Sequence, residues 1–503
     1  MQNGTQLATV DLGSNSFRLE IGNFDHNQIH RSEYLKETVR QGNGLDADRN
    51  LTEEAMQRGW DCLARFGERL SNFKSSQVRA VATQTLREAR NRDVFLKRGC
   101  QILGFPIEVI SGQEEARLIY QGVAHLLPQS DEKRLVIDIG GRSTELVLGH
   151  QLTASKMESY RVGSVAWSIK YFPNGKLDEA SFIKAEIAAK AVLDEALNTF
   201  KRGTWEIAYG SSGTISAVSD ILKASDWTEK NITKASLQWL REKLIKAQHT
   251  DRIKLAGLKD DRKAVIAGGV SILCALFDLL KIETIQPAEG ALRHGVLYDL
   301  LDRESGQIDI RNASIARLAK KFGIDASQAK RVSNIALTLF SQVKNDSGID
   351  IKEISSEVKS LEWAAQLHEI GCQISHSDYH KHGAYIIDHA DIAGFAMTES
   401  HRLSMLVLGH RGKLKKLEEE LDDPKFSQLL LSLRLAVIFC HARYSSEIQQ
   451  LKLSTAKNEN RQFLLTCPPG WANEFPQSAH LLREEVLSWK KVNWHLILRG
   501  FEL

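Results

Sequence analysis

One twelve-residue pattern occurs twice in this chain. Residues 11–22, D-L-G-S-N-S-F-R-L-E-I-G, align with residues 138–149, D-I-G-G-R-S-T-E-L-V-L-G, with five positions identical. Each copy has an apolar strand (Leu7 to Val10; Leu135 to Ile137), an Asp, a Gly/Ser-rich turn, and an alternating second strand (Phe17 to Ile21; Glu145 to Leu148). Repetition of a whole strand-turn-strand unit predicts a duplicated domain built around two β-hairpins. After the first hairpin the periodicity predicts a helix from Glu53 to Phe73 with Thr52 as N-cap, a strand Val78 to Ala82, and a helix Asn91 to Leu103. After the second come a helix Leu177 to Phe200, a strand Glu206 to Tyr209, a turn Gly210 to Thr214, and a Gly268-Gly269 pair opening an apolar helix. Both copies are therefore mixed α/β.

A chain of 503 residues has room for about three or four domains. The expected division is 1–124 and 125–307 for the two copies, 308–445 for a helical domain holding eight of the sixteen histidines, and 446–503 for a small β-rich domain. In the last segment the pattern predicts strands Ile448 to Ser454 and Gln462 to Thr466 about a Lys457-Asn458-Glu459-Asn460 turn. A helix Pro476 to Lys491 and a strand Trp494 to Leu498 follow. A net charge of +3 creates little long-range field, so no nucleic-acid partner is expected. Six cysteines form no C-x-x-C pair, and the polar start is no signal peptide, which points to the cytoplasm. The longest apolar stretch, Leu429 to Cys440, is interrupted by Arg434 and is too short to span a bilayer, so no transmembrane segment is expected. Peripheral membrane association stays open, and a homodimer is expected.

Turns of the Asp-x-Gly-Ser type aim backbone N–H groups and hydroxyls at one point, which suits phosphate oxygens. The preceding carboxylate can hold a divalent cation directly or through water. A single Gly-rich hairpin is usually only a turn; two facing copies can clamp a phosphate and its Mg²⁺ between them. No G-x-x-x-x-G-K-[ST] loop is present, and Gly42, Gly44 and Ala47 only loosely echo a dinucleotide fingerprint.

The sequence resembles the exopolyphosphatase and guanosine pentaphosphate phosphohydrolase family, within the acetate and sugar kinase, heat-shock chaperone and actin superfamily. The blocks that carry the resemblance are D-L-G-S-N-S from Asp11, A-T-Q-T-L-R-E-A-R-N from Ala82, I-S-G-Q-E-E-A-R-L-I-Y from Ile110, D-I-G-G-R-S-T-E from Asp138 and G-S-S-G-T from Gly210. It implies two actin-like (ribonuclease H-like) α/β domains with a cleft between them, a helical HD-like domain, and a small C-terminal α+β domain. It also implies that Glu115 activates the attacking water, that Asp138 and Glu145 bind metal with Asp11 as their first-copy counterpart, and that Mg²⁺ is the cofactor with K⁺ stimulation. Ser14, Asn15, Ser16, Gly140, Gly141, Ser143, Thr144, Ser212 and Gly213 match the phosphate cradle, with Arg87, Arg262 and, more weakly, Arg293 as phosphate contacts. Arg142 departs from the pattern, since the family commonly has Gly or Ala there. A guanidinium at that point either adds a bidentate phosphate contact or crowds the cradle.

In the helical domain, Leu367-His368-Glu369-Ile370-Gly371 precedes His376, His380, His382, His389 and His410. A metal site of the HD type needs a His-Asp doublet, and Glu369 stands in place of the Asp, so a second active site is not expected. The expected function is exopolyphosphatase, removing terminal phosphate from inorganic polyphosphate. The alternative is guanosine pentaphosphate 5′-phosphohydrolase, with the same site acting on a different chain. A non-catalytic alarmone or nucleotide sensor is a third reading, disfavoured by the Glu115 block.

Overall fold

The computed structural model describes residues 3–500 apart from 27, 129, 226, 228–230, 306–308, 346–350, 444–449 and 456–460. The Lys457-to-Asn460 turn, the first two residues of the strand expected from Ile448, and the expected boundary at 307/308 lie outside these residues. The chain forms two compact units, Met1–Asp309 and Ile310–Leu503.

The first unit contains two sheets of matching topology. In one, β1 (Gln6–Leu12), β2 (Phe17–Asp25), β3 (Gln28–Glu37), β4 (Val78–Ala82) and β5 (Ile107–Val109) lie in the order β3-β2-β1-β4-β5. In the other, β6 (Lys133–Ile139), β7 (Thr144–His150), β8 (Thr153–Tyr160), β9 (Ile207–Ser211), β10 (Ile232–Thr233) and β11 (Thr284–Pro287) run β8-β7-β6-β9-β11-β10. Each begins with three antiparallel strands and continues with strands parallel to the first, β4 on β1 and β9 on β6. That is the ribonuclease H-like arrangement, present twice, as actin-like proteins have it.

The central strands have both faces covered: all five residues of β4 (VRAVA) are buried, Arg79 being its one charged member. The edge strands β3 (QIHRSEYLKE) and β8 (TASKMESY) were absent from the sequence expectation. Each has one face in solvent and a polar, charged composition that blunts the edge against further pairing, so neither carries an apolar signal. The helix expected over Leu177 to Phe200 starts two residues later, at Glu179, where Asp178 accepts a hydrogen bond from Ser181 N at 2.8 Å. It is interrupted between Leu193 and Ala196. The expected Gly210-to-Thr214 turn is not a loop: β9 runs through Ser211 and a helix begins at Ser212, whose φ of 98° takes up the whole change of direction.

The helix Gly112–Leu126 packs backbone to backbone on the helix Leu292–Ser305. A Cβ on Gly295 would come 1.8 Å from the Leu118 carbonyl oxygen, and one on Gly122 would come 2.3 Å from that of Ala291. A buried ionic network reinforces the crossing. Asp299 accepts from Arg79, Arg117 and Arg303, while Glu114 accepts from Arg117 at 2.8 Å. Burial alone would raise the Asp299 pKa, but Arg117, Arg79 and Arg303 hold its carboxyl well below the usual range.

The second unit is helical around a single core that also takes in the three-stranded sheet of β12 (Lys452–Thr455), β13 (Gln462–Thr466) and β14 (His495–Arg499). The described residues of 446–503, expected as a separate domain, thus share their core with the helices: Phe463, Trp489 and Leu496 belong to the same cluster as Leu339, Leu406 and Leu430. The apolar stretch from Leu429 lies in the buried helix Pro424–Phe439. Its Arg434 is neutralised by Glu485 and donates to the carbonyls of Gly409 (2.6 Å) and Gly412 (3.2 Å). Among the described residues no helix is long and apolar enough to cross a membrane.

Candidate active site

The two repeated turns face each other across a cleft of about 350 Å³. A Cβ placed on Gly141 would lie 3.0 Å from Ser14 Cβ and 3.8 Å from Asn15 N, so the glycine is what allows the turns to approach. Of the residues expected at the site, Asp11, Ser14, Asn15, Ser16, Glu115, Asp138, Gly140, Gly141, Ser143, Ser212, Gly213, Arg262 and Arg293 line this cleft. Gly213 has a steric role as well: a Cβ there would come 1.9 Å from the Arg262 guanidinium, which lies directly over the turn.

Glu115 enters the cleft from the first turn of Gly112–Leu126. Ser111 caps that helix, accepting from Glu114 N at 3.1 Å. The neighbouring glutamates part company because successive side chains on a helix point about 100° apart. Glu114 turns into the Arg117 network, and Glu115 faces the cleft although only 7% exposed. Burial raises the Glu115 pKa and Asp11 adds to this, while Arg87, donating from Nη1 to Glu115 Oε2 at 2.7 Å, opposes it.

The register exposes an asymmetry between the copies. Asp11 sits opposite Arg18 on β1/β2, and Asp138 sits opposite Glu145 on β6/β7. In the first copy the Asp is neutralised, with Arg18 Nη1 2.9 Å from Asp11 Oδ2. In the second, two carboxylates face each other. Burial, then repulsion from Glu115, push Asp138 up to about 6. Burial, Glu115 and Asp138 push Glu145 well above the carboxylate range. Glu145 Oε1 accepts from Ser159 at 2.8 Å, whereas Oε2 is buried with no hydrogen-bond partner. An orphaned carboxylate oxygen beside a second carboxylate fits a hard divalent cation in both donor type and missing charge. Among the described residues no three His, Cys, Asp or Glu side chains are placed to hold a metal ion unaided. Such a donor set suits Mg²⁺, which keeps water and substrate phosphate oxygens in its shell alongside one or two carboxylates.

Four residues expected at the site have other contacts. Arg142 does not line the cleft: it donates from Nε and Nη2 to Glu88 Oε2 (3.1 and 2.8 Å) and from Nη1 to the Gly42 carbonyl (3.1 Å). It therefore ties the second turn to the first domain and is not among the residues that line the cleft. Thr144 is fully buried and donates its hydroxyl to the Val162 carbonyl at 2.6 Å. Arg87 is turned onto Glu115, the Ile110 carbonyl (2.9 Å) and Gln84. Glu145 stands off the cleft wall, opposite Asp138.

Residues that the sequence did not single out complete the wall: Arg18, Tyr34, Lys36 and Lys259. Arg18, Lys36 and Lys259, with Arg262 and Arg293, bring five cations to the cleft lining, beside the carboxylates of Asp11, Glu115, Asp138, Asp220 and Glu289. Lys36 pairs with Asp261 (2.9 Å) and Arg293 with Glu20, whereas Arg262 makes no ion pair among the described residues. Burial and the neighbouring Arg18 push Arg262 below its ordinary pKa. Arg18 was legible as the repeat counterpart of Glu145, but Tyr34 and Lys36 lie on the unrecognised strand β3.

Two ribonuclease H-like domains meeting at facing Ser/Gly turns, with a buried carboxylate in a charged cleft, define an actin-like protein. Its sequence places it further: residues 24–304 match the Ppx/GppA phosphatase family and residues 310–486 match Ppx/GppA phosphatase domain III, so the chain belongs to that family. It is 36% identical over 498 residues to the guanosine-5′-triphosphate,3′-diphosphate pyrophosphatase of Photobacterium profundum, covering 98% of each chain. It is also 36% identical over 500 residues to the protein of that name from Vibrio vulnificus, covering 99% of each. Among solved structures, an exopolyphosphatase from Cytophaga hutchinsonii aligns with a TM-score of 0.53 and 26% identity, over 59% of this chain and 98% of that one.

Proposed function

We propose that this protein is a guanosine pentaphosphate 5′-phosphohydrolase, releasing inorganic phosphate from the 5′ end and leaving guanosine tetraphosphate. The observation that carries the reaction class is the buried Glu115 carboxylate set beside two facing Ser/Gly turns. The substrate is supported by two relatives, each matched over 98% or more of both chains, that carry the corresponding name. This reverses the preference drawn from sequence alone, where polyphosphate stood first.

In this reading the terminal phosphate lies between Ser14-Asn15-Ser16 and Gly140-Gly141-Ser143, whose amides and hydroxyls donate to its oxygens. Water bonds to the terminal phosphorus while Glu115 accepts its proton. The bridging P–O bond breaks, and its electron pair stays on the oxygen of the penultimate phosphate. A Glu whose pKa is lifted by burial is the stronger base for this step, and Arg87 favours its ionised form. Asp138 and Glu145 would hold Mg²⁺, which supplies neutralising charge for the non-bridging oxygens. Arg262, without a carboxylate partner among the described residues, would receive the phosphates nearer the nucleoside.

Exopolyphosphatase is the second reading, supported by the solved structure of that name, which aligns over 59% of this chain. The test is phosphate release from guanosine pentaphosphate and from long polyphosphate, compared as kcat/KM with Glu115→Gln as control. A preference for polyphosphate of about tenfold or more would return the assignment to exopolyphosphatase. Release from neither would favour the sensor.

A further inference from the structure

The helical unit has a cavity of its own, about 510 Å³, that the hydrolytic reading does not use. His368 and His410 line it although only 1% and 2% exposed, with ring centroids 5.5 Å apart. Each ring places Nδ1 against a carbonyl three residues earlier, Ala365 at 2.7 Å and Val407 at 2.6 Å. A carbonyl only accepts, so Nδ1 carries the proton and Nε2 presents a lone pair. His410 Nε2 is buried with no hydrogen-bond partner. Burial holds both imidazoles below their ordinary pKa, with His368 adding to the effect on His410, so each stays neutral and accepting near pH 7.

Two buried acceptors form the floor, and cations stand at the rim. Arg434 and Arg443 are already matched by carboxylates, Arg434 by Glu485 and Arg443 by Asp325 and Glu369. Arg411 lies over the Tyr379 ring at 4.6 Å, and neither it nor Lys413 pairs with a carboxylate among the described residues. Glu484, also on the rim, would repel an anion from its own side and direct it toward Arg411 and Lys413. Among the described residues no group of three His, Cys, Asp or Glu is placed to hold a metal ion unaided, and the outward Nε2 atoms are hydrogen-bond acceptors. The volume falls within the range usual for small-molecule sites.

We propose that this cavity is a second ligand site, for a small phosphorylated molecule with neighbouring N–H or O–H donors, such as a nucleoside or sugar phosphate. Its donors meet His410 and His368 Nε2, and its phosphate meets Arg411 and Lys413. The proposal does not depend on which phosphoanhydride the cleft hydrolyses.

The test is hydrogen exchange on the full-length protein, following peptides that contain His368 and His410, with GDP, ribose 5-phosphate and inorganic phosphate added separately at millimolar concentration. Protection by GDP or ribose 5-phosphate, and much less by inorganic phosphate, is the expected result, and which of the two acts more strongly identifies the source. The exposed pair Arg411→Ala/Lys413→Ala should weaken that protection by about tenfold or more while phosphate release without added ligand stays at the wild-type rate. His410→Phe should weaken it similarly by removing the acceptor. No protection with any of the three probes would overturn the proposal. So would protection by inorganic phosphate as strong as by the organic phosphates, or protection that survives in the Arg411→Ala/Lys413→Ala variant.

Discussion

Replacing Arg87 by Met tests whether this side chain tunes Glu115 or merely supports the loop around it. Arg87 Nη1 lies 2.7 Å from Glu115 Oε2, and both side chains are about one-tenth exposed. Burial already lifts the Glu115 pKa, and Arg87 is the main influence working in the other direction. A charge-assisted hydrogen bond of this kind is worth about 1.5–3 kcal/mol. Its loss should raise the Glu115 pKa further. A general base must be ionised to act, so the acid limb of kcat/KM for phosphate release should move toward higher pH. Below the limb, activity should fall about ten- to a hundredfold at fixed pH. Arg87→Lys keeps the charge but loses part of the donor fork that also serves Ile110 and Gln84, so its limb should move less. A purely structural role would lower activity evenly across pH and lower the melting temperature. An unmoved acid limb in a folded Arg87→Met protein would refute the reasoning.

Glu115→Gln should lower kcat by roughly 10² to 10⁴ with KM little changed, and wild-type turnover in that variant would remove Glu115 from the mechanism. Asp138→Asn should raise the Mg²⁺ concentration needed for half-maximal activity, and an identical Mg²⁺ titration would count against the metal assignment. Asp299→Asn leaves Arg79 and Arg117 with only Glu108 and Glu114 as partners and should cost about 1–3 kcal/mol in urea unfolding at neutral pH. Because the native Asp299 pKa is depressed, its contribution is present above the unfolded carboxylate pKa and lost as pH falls, so the gap between variant and wild type should narrow in acid. A double-mutant cycle of Arg142→Ala with Glu88→Ala should show coupling of about 1 kcal/mol, and coupling near zero would mean that the tie between the two domains does not hold in solution.

Several elements were legible because the forces that make them are local. The strand Val78–Ala82 and the Thr52-capped helix from Glu53 follow from an apolar run and from a side chain that accepts a hydrogen bond from Ala55 N. The edge strands β3 and β8 were not legible, since only their partners β2 and β7 make them strands. With β3 went Tyr34 and Lys36 of the cleft wall. The interruption after Leu193 left no sign that apolar periodicity could register, and the merging of the C-terminal sheet into the helical core gathers residues more than a hundred positions apart, Phe463 and Leu339 among them, into one cluster.

By itself the sequence determined that the fold is duplicated and that the turns after Asp11 and Asp138 share one local geometry, because a repeated motif carries its geometry with it, whereas Glu115 was reached only through the family resemblance. The tertiary structure alone decided how these groups differ. Arg18 opposite Asp11 and Glu145 opposite Asp138 give one turn a neutralised carboxylate and the other an uncompensated pair. Arg87 became a partner of Glu115, and Arg142 a tie to Glu88 and Gly42. Residue type states that a side chain is charged, but the direction in which a long guanidinium points, and the charge it finds there, is set by which strands and helices pack beside it.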